Sequence, residues 1–148
     1  MNLIYILVAI LAGVMFAIQP IVNHNVARIL ERPIQASLIS FFVGTVLLLI
    51  VNIFLGIKIP STSKLLAVPW WLYLSGGAIG AFFVTAALII QPKIGAGGWI
   101  SGYVVGQLAM SILLDNYGWW GLPTHPINLM RGLGAFLLVI GAILIANY

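Results

Sequence analysis

Two features are scarce in this sequence: cysteine and charge. None of the 148 residues is cysteine, which excludes disulfide bonds and thiolate metal sites. Six Lys and Arg and two Asp and Glu make up 5% of the chain, whereas an ordinary soluble domain carries about 25% charged residues. So few charges cannot cover the surface of a soluble globule, and they also exclude disordered and coiled-coil folds. With 63% hydrophobic residues, the sequence indicates an integral membrane protein.

Long uncharged runs fill the space between the charges. A membrane-spanning helix needs roughly 17–25 apolar residues, and five runs are long enough. The two-residue alternation of polar and apolar residues that is typical of barrel strands is missing from these runs. We therefore predict an all-α integral membrane protein that forms one transmembrane domain over residues 1–148, with helices at approximately 3–28, 35–56, 70–91, 96–115 and 129–147.

Proline, glycine and asparagine mark the predicted helix ends. Pro33 biases Arg32 away from helical geometry, and Pro69 suits the first turn of the third span. Pro92 ends that span, and the glycines within 95–98 allow a tight reversal. Asn128 is a candidate N-cap for the last span. Aromatic residues at the helix ends predict an interfacial belt, formed by Trp70, Trp71, Tyr73, Tyr117, Trp119 and Trp120.

Five spans place the two termini on opposite sides of the membrane. The side of the N-terminus then carries Lys58, Lys64 and Arg131, and the other side carries Arg28, Arg32 and Lys93. Lys and Arg normally set the orientation of a membrane protein, and here they are balanced. The balance predicts dual topology, in which the same chain inserts both ways and pairs as an antiparallel homodimer. The alternative is that charges at different depths count unequally, or that a partner chain sets the orientation.

Six short motifs are spread along most of the chain. They are Gln19-Pro20 through Asn23, Ser40 through Thr45, Gly76 through Thr85, Gly106-Gln107-Leu108, Leu113 through Gly118, and Gly121-Leu122-Pro123. Together they resemble the five-span YdcZ-type family of the drug/metabolite transporter (DMT) superfamily. The resemblance implies a DMT-like half, namely a transporter subunit that works as a pair. It implies no particular cargo. The family commonly has His at the position of Asn116, so no role is carried over to that residue.

Polar and aromatic side chains near the middle of the spans are candidates for a substrate site. Gln19 and Asn23 share one face of the first span, beside the helix-breaking Pro20. Trp99, Tyr103 and Gln107 form a stripe on the fourth span that could stack on and hydrogen-bond an amphipathic or cationic molecule. We predict that these five residues and Thr85 line a shared cavity. The alternative is that they only join helices by packing and hydrogen bonds.

Two further groups have different predicted roles. His24 and Asp115 are candidates for coupling transport to an ion, although His24 could instead be interfacial and Asp115 could simply pair with Arg131. A negative charge near the C-terminal end of a helix is unfavourable, which is why Asp115 needs a partner. Glycines at four-residue spacing are assigned to helix packing, namely Gly76, Gly80, Gly98, Gly102 and Gly106.

The sequence predicts no enzyme and no cofactor. Its His and Asp residues are too scattered for a catalytic pair or a metal site, and no nucleotide-binding motif or basic nucleic-acid patch occurs. We expect a secondary transporter of the cell inner (plasma) membrane that moves a small neutral, zwitterionic or diffusely cationic molecule. The alternatives are a small dual-topology channel and an accessory or structural membrane subunit. The expected partners are a second copy, the bilayer and the substrate.

Overall fold

The structure, a computed structural model, describes residues 3–148, which contain helices and loops and no strand. The α-helices are α1 (Leu3–Leu30), α2 (Pro33–Phe54), α3 (Thr62–Ala67), α4 (Trp70–Tyr117) and α5 (Leu129–Asn147). A single 3-10 turn, Trp119–Gly121, follows α4. The predicted all-α class is confirmed.

Four of these helices, α1, α2, α4 and α5, are long and apolar enough to cross a membrane. No more than 11% of the most apolar stretch of any of them is buried within the chain. Apolar side chains exposed to this extent are stable in lipid but not in water. The integral membrane class predicted from the low charge content therefore agrees with the helices that form.

The third and fourth predicted spans are joined in one element, α4, of 48 residues. Pro92 lies inside it, and Gly95 has φ 78° and ψ 162°, which is not helical. Glycine adopts such a positive φ without the steric cost that a Cβ imposes. The predicted boundary near Pro92 thus corresponds to a break in the backbone at Gly95, three residues further along, rather than to a loop.

Local signals account for most helix ends. Arg32 is extended at φ −142°, and Pro33 begins α2, as the sequence predicts. The side chain of Asn128 accepts a hydrogen bond from the amide of Arg131 at 2.9 Å, which confirms the predicted N-cap of α5. Pro69 lies just before α4 rather than inside it, and its carbonyl accepts from Leu72. The helix α1 continues through Pro20 instead of ending there.

The segment between α2 and α4 contains the short helix α3. The Tyr73 hydroxyl donates to the carbonyl of Leu65 at 3.0 Å, which ties α3 to the first turn of α4. Lys58 and Lys64 lie in this segment, which precedes the exposed Trp70 and Trp71 in the chain. Aromatic rings and lysines at the end of a span are typical of the membrane–water interface.

The chain divides into two compact units, one ending at Ile89 and the other spanning Ile90–Tyr148. We call them the N-terminal unit and the C-terminal unit. The N-terminal unit has a small core where Ala27 of α1, Ala36 of α2 and Leu88 of α4 are at most 5% exposed. Alanines at this point allow the helix backbones to approach closely. A single transmembrane domain stays a prediction.

Glu31 closes α1 in the left-handed conformation, at φ 54°. The amide of Arg32 bonds to the carbonyl of Ala27, which is the pattern of a helix end that normally has glycine at the position of Glu31. We expect Glu31→Gly to raise the free energy of unfolding by about 1 kcal/mol, because glycine adopts this conformation without strain.

Unfolding of the purified protein in detergent measures this effect. Glu31→Ala is the matched control, since it removes the carboxylate and keeps the strained backbone. Equal stabilisation by both variants would show that charge, not backbone strain, destabilises this end of α1.

Candidate transport site

Two hydrogen bonds join polar side chains inside the N-terminal unit. Asn23 of α1 donates through Nδ2 to the Ser40 hydroxyl of α2 at 3.1 Å. Thr85 of α4 donates to the Ser37 hydroxyl at 3.0 Å, and Ser37 in turn donates to the carbonyl of Pro33 at 3.3 Å. Asn23 and Ser37 are both buried, at 9% and 4% exposure. These bonds satisfy polar groups that would be costly in lipid, and they connect three helices.

Gln19 differs from Asn23, although both lie on one face of α1. Gln19 is exposed, and its side chain makes no hydrogen bond within the described part of the chain. Its side chain lines a groove of about 250 Å³ that is formed by α1, α2 and α4 within the N-terminal unit. The groove has polar groups and apolar walls and contains no charged residue.

His24 is half-buried, and its Nδ1 atom is buried without a hydrogen-bond partner among residues 3–148. A buried nitrogen of this kind loses its hydration without compensation, which is costly unless water or another group reaches it. The neighbouring Asn25 is exposed and donates to the carbonyl of Ile21 one turn back, at 3.0 Å. His24 therefore keeps a free nitrogen where Asn25 does not.

The predicted aromatic stripe forms in the C-terminal unit. The rings of Trp99 and Tyr103 lie 6.0 Å apart and are inclined by 57°. Both residues are half-buried, whereas Gln107, one turn further along α4, is exposed. The Gln107 side chain makes no hydrogen bond within the described residues. The stripe thus presents two rings and one free carboxamide along the same helix.

Asp115 forms the predicted ion pair with Arg131, near the end of α4. The Arg131 guanidinium donates to the Asp115 carboxylate and to the carbonyl of His125. The backbone joins the same cluster, because the amide of His125 donates to the carbonyl of Asp115 at 2.8 Å. Asn116 accepts from the amide of Ile127 at 3.1 Å. These groups hold the loop between α4 and α5 in one conformation.

The same loop requires glycine at position 118. Gly118 has φ +61°, and a Cβ there would lie 2.6 Å from the Thr124 Cγ2 atom and 3.0 Å from the Leu122 carbonyl oxygen. We expect Gly118→Ala to lower the free energy of unfolding by about 2–3 kcal/mol, because strain and a clash act together.

Thermal or chemical unfolding in detergent tests this expectation. Gly121→Ala is the matched control, since Gly121 also has a positive φ, +80°, but open space around its Cβ position. We expect that control to cost only about 1 kcal/mol, from strain alone. If the two variants lose equal stability, Thr124 does not restrict position 118.

Residues 4–144 match the family described as "Putative inner membrane exporter, YdcZ". This chain belongs to the YdcZ family. The resemblance found in the motifs of the sequence is confirmed. The match includes every candidate site residue of both units.

A curated relative supports the assignment to the YdcZ family. The inner membrane protein YdcZ of Escherichia coli (strain K12) is 29% identical over 142 residues, which cover 93% of this chain and 91% of the relative. No solved structure matches the chain. The predicted localisation in the inner membrane is confirmed by the family and by this relative.

In this YdcZ-family chain, the predicted substrate residues are divided between the two units. Gln19, Asn23 and Thr85 lie in the N-terminal unit, and Trp99, Tyr103 and Gln107 lie in the C-terminal unit. Hydrogen bonds hold Asn23 and Thr85 to α2, which agrees with the alternative interpretation that they join helices. A cavity shared by all six residues stays a prediction.

The packing glycines differ from one another. A Cβ at Gly80 would lie 3.2 Å from the Phe41 ring, so this glycine allows α4 and α2 to approach closely. Gly98 has only the Ile94 side chain of its own helix nearby, and Gly76, Gly102 and Gly106 have open space. In the C-terminal unit it is Gly97 that lies close to α5, since a Cβ there would be 3.3 Å from the Ile145 Cγ2 atom. Packing by the open glycines stays a prediction.

Several buried polar residues are not among the predicted site residues. Ser37 and Ser40 accept the hydrogen bonds from Thr85 and Asn23. Gln91 had been placed at a helix end, and it is 7% exposed with a buried Oε1 that has no partner among residues 3–148. Its spacing from Leu88 is the one signal that could have indicated a buried position.

Metal binding finds no support in the described part of the chain. Residues 3–148 contain no group of three His, Asp or Glu side chains that could hold an ion. The candidate site is instead made of carboxamides, hydroxyls and aromatic rings. Such a lining can bind uncharged or diffusely charged molecules by hydrogen bonds and stacking.

Proposed function

We propose that this chain is one subunit of a secondary transporter that moves a small amphipathic molecule across the inner membrane by alternating access. The main support is that Gln19 and Gln107 are exposed and that their side chains make no hydrogen bond within the described residues. A free carboxamide at membrane depth is unfavourable unless protein, water or cargo satisfies it. A cavity that alternates between the two sides supplies both water and cargo.

Membership of a family described as exporters supports outward transport as the direction. An inner-membrane exporter moves molecules out of the cytoplasm, and the scarcity of charge within the spans favours neutral, zwitterionic or diffusely cationic cargo. We propose that the cargo crosses the membrane without chemical change.

We propose five crossings per chain, with α4 crossing the membrane twice. A continuous helix of 48 residues would be about 72 Å long, whereas the hydrocarbon core of a bilayer is about 30 Å thick. Pro92 and the non-helical Gly95 divide α4 into two stretches, each long enough for one crossing. Accessibility of single cysteines introduced near Gly95 tests this, since five crossings bring that region to the membrane surface.

We propose that two chains pair as an antiparallel homodimer. Five crossings leave three Lys or Arg on each side, so neither orientation is strongly preferred. The open spaces at Gly102 and Gly106 of α4 are suitable for close approach by a helix of the second copy. His24, with its free nitrogen, is the remaining candidate for coupling, because Asp115 is held by Arg131.

Flux measurements test the transporter proposal. The protein is reconstituted in vesicles and a panel of metabolites and organic cations is screened, first by thermal shift and then by uptake. We expect at least one compound to show flux that saturates with concentration. Unitary currents in a planar bilayer would instead support a channel. Flux that appears only when a second protein is added would support an accessory subunit.

A further inference from the structure

The groove that contains Gln19 has a specific distribution of free and occupied polar groups. Thr45 donates its hydroxyl to the carbonyl of Phe41, at 2.9 Å. Ser40 accepts from Asn23, at 3.1 Å. Of these three lining residues, Gln19 is the one whose side chain makes no hydrogen bond within the described residues. Its carboxamide can both donate and accept a hydrogen bond.

The walls of the groove are apolar and partly fixed in place. Phe41, Leu48 and Val84 line it together with the polar residues. The Phe41 ring lies against Gly80 of α4, where an added Cβ would be 3.2 Å from the ring. Because a neighbouring backbone holds this ring, it offers a flat surface of defined position beside the free carboxamide.

Charge is absent from the lining of the groove. A compact ion that leaves water for such a site loses hydration and gains no counter-charge. An uncharged amide, hydroxyl or carbonyl group loses much less hydration free energy, and it forms a hydrogen bond with Gln19 in place of its bond to water. The volume of about 250 Å³ suits a ring and one polar substituent.

We infer that this groove of the N-terminal unit binds the substrate through an uncharged hydrogen-bonding group held by Gln19, with the apolar part of the substrate against Phe41. The inference rests on the proposed transport function and narrows the cargo to amphipathic molecules with a neutral polar group. Gln19 is the residue that selects for this group, whereas Asn23 and Ser40 position the helices that form the groove.

Equilibrium binding of three probes of similar shape tests the inference. The probes are N-benzylacetamide, benzylammonium and phenylacetate, measured by equilibrium dialysis against the purified full chain in detergent. We expect N-benzylacetamide to bind more tightly than either ion. Gln19→Leu should weaken that binding about tenfold, the effect of losing one well-placed hydrogen bond.

Two control variants distinguish the role of Gln19 from a general change in polarity. Asn52→Leu removes an exposed amide of α2, and Asn25→Leu removes an exposed amide of α1, and both residues lie outside the groove. Both should bind N-benzylacetamide within about twofold of the original chain. Equal loss in all three variants would overturn the inference.

The three probes and the flux assay together distinguish failure of this inference from failure of the transporter proposal. Binding of phenylacetate as tight as that of N-benzylacetamide would overturn the selection for neutral groups. Failure of N-benzylacetamide to bind would also overturn the inference. If the protein shows saturable flux while Gln19→Leu binds normally, this inference fails and the transporter proposal stands. Selective binding of N-benzylacetamide without flux would support the groove as a binding site and contradict the transporter proposal.

Discussion

Replacement of Gln107 by Leu should lower transport by about tenfold or more, while folding and assembly stay nearly unchanged. The Gln107 carboxamide is exposed on α4 and forms no hydrogen bond within the described residues, so no contact there is lost. Leu has a similar volume and is more favourable than Gln in lipid. A loss of flux would therefore come from a lost contact with substrate or cavity water.

Saturable uptake into vesicles measures this effect, with thermal unfolding as a check on folding. Asn52→Leu is the matched control, because Asn52 is an exposed carboxamide of α2 that already bonds to the carbonyl of Leu48 at 2.8 Å. The control should retain most of its flux. Normal uptake by Gln107→Leu would remove this residue from the site and leave Gln107 as a lipid-facing position.

Two lysines added at either end of the chain should force a single orientation and abolish transport. The balance of three Lys or Arg on each side would become five against three. An excess of this size is retained on the cytoplasmic side and sets the orientation. A population with one orientation cannot form antiparallel pairs, so flux should be lost although the chain folds.

Co-expression provides the decisive control for this prediction. A variant with lysines at the N-terminus and a variant with lysines at the C-terminus have opposite biases, and together they should restore flux. Orientation is read from the labelling of cysteines placed at the two ends. If every original chain in cells has the same orientation, dual topology is wrong and another protein or the depth of the charges sets the topology.

Much of the fold could be predicted because its signals are local. The scarcity of charge determined the class, since a lipid-facing helix needs an uncharged run and little else. Pro33 and Asn128 marked helix starts through backbone geometry and capping, which act over a few residues. The Asp115–Arg131 pair was predictable because each charge near lipid needs a partner and few were available.

Other predictions concerned neighbours in space, which the spacing of residues along the chain identifies only in part. Four-residue spacing selected Gly98 as a packing position, yet the close contact with α5 occurs at Gly97. The spacing identifies a face of the helix, but it does not say which neighbouring helix lies against that face. The break in α4, by contrast, is a local feature. It occurs at Gly95, within the stretch 95–98 whose glycines were predicted to allow a reversal, because glycine adopts a positive φ without strain.

The sequence by itself determined the membrane class, the family and the set of polar residues within the spans. Only the tertiary structure decided which of these side chains form hydrogen bonds within the chain and which do not. Asn23 and Gln19 share a face of α1, but Asn23 meets Ser40 and Gln19 opens into a groove. The physical reason is that hydrogen-bond partners come from helices distant in the chain, whose approach depends on packing at small residues such as Ala36 and Gly80.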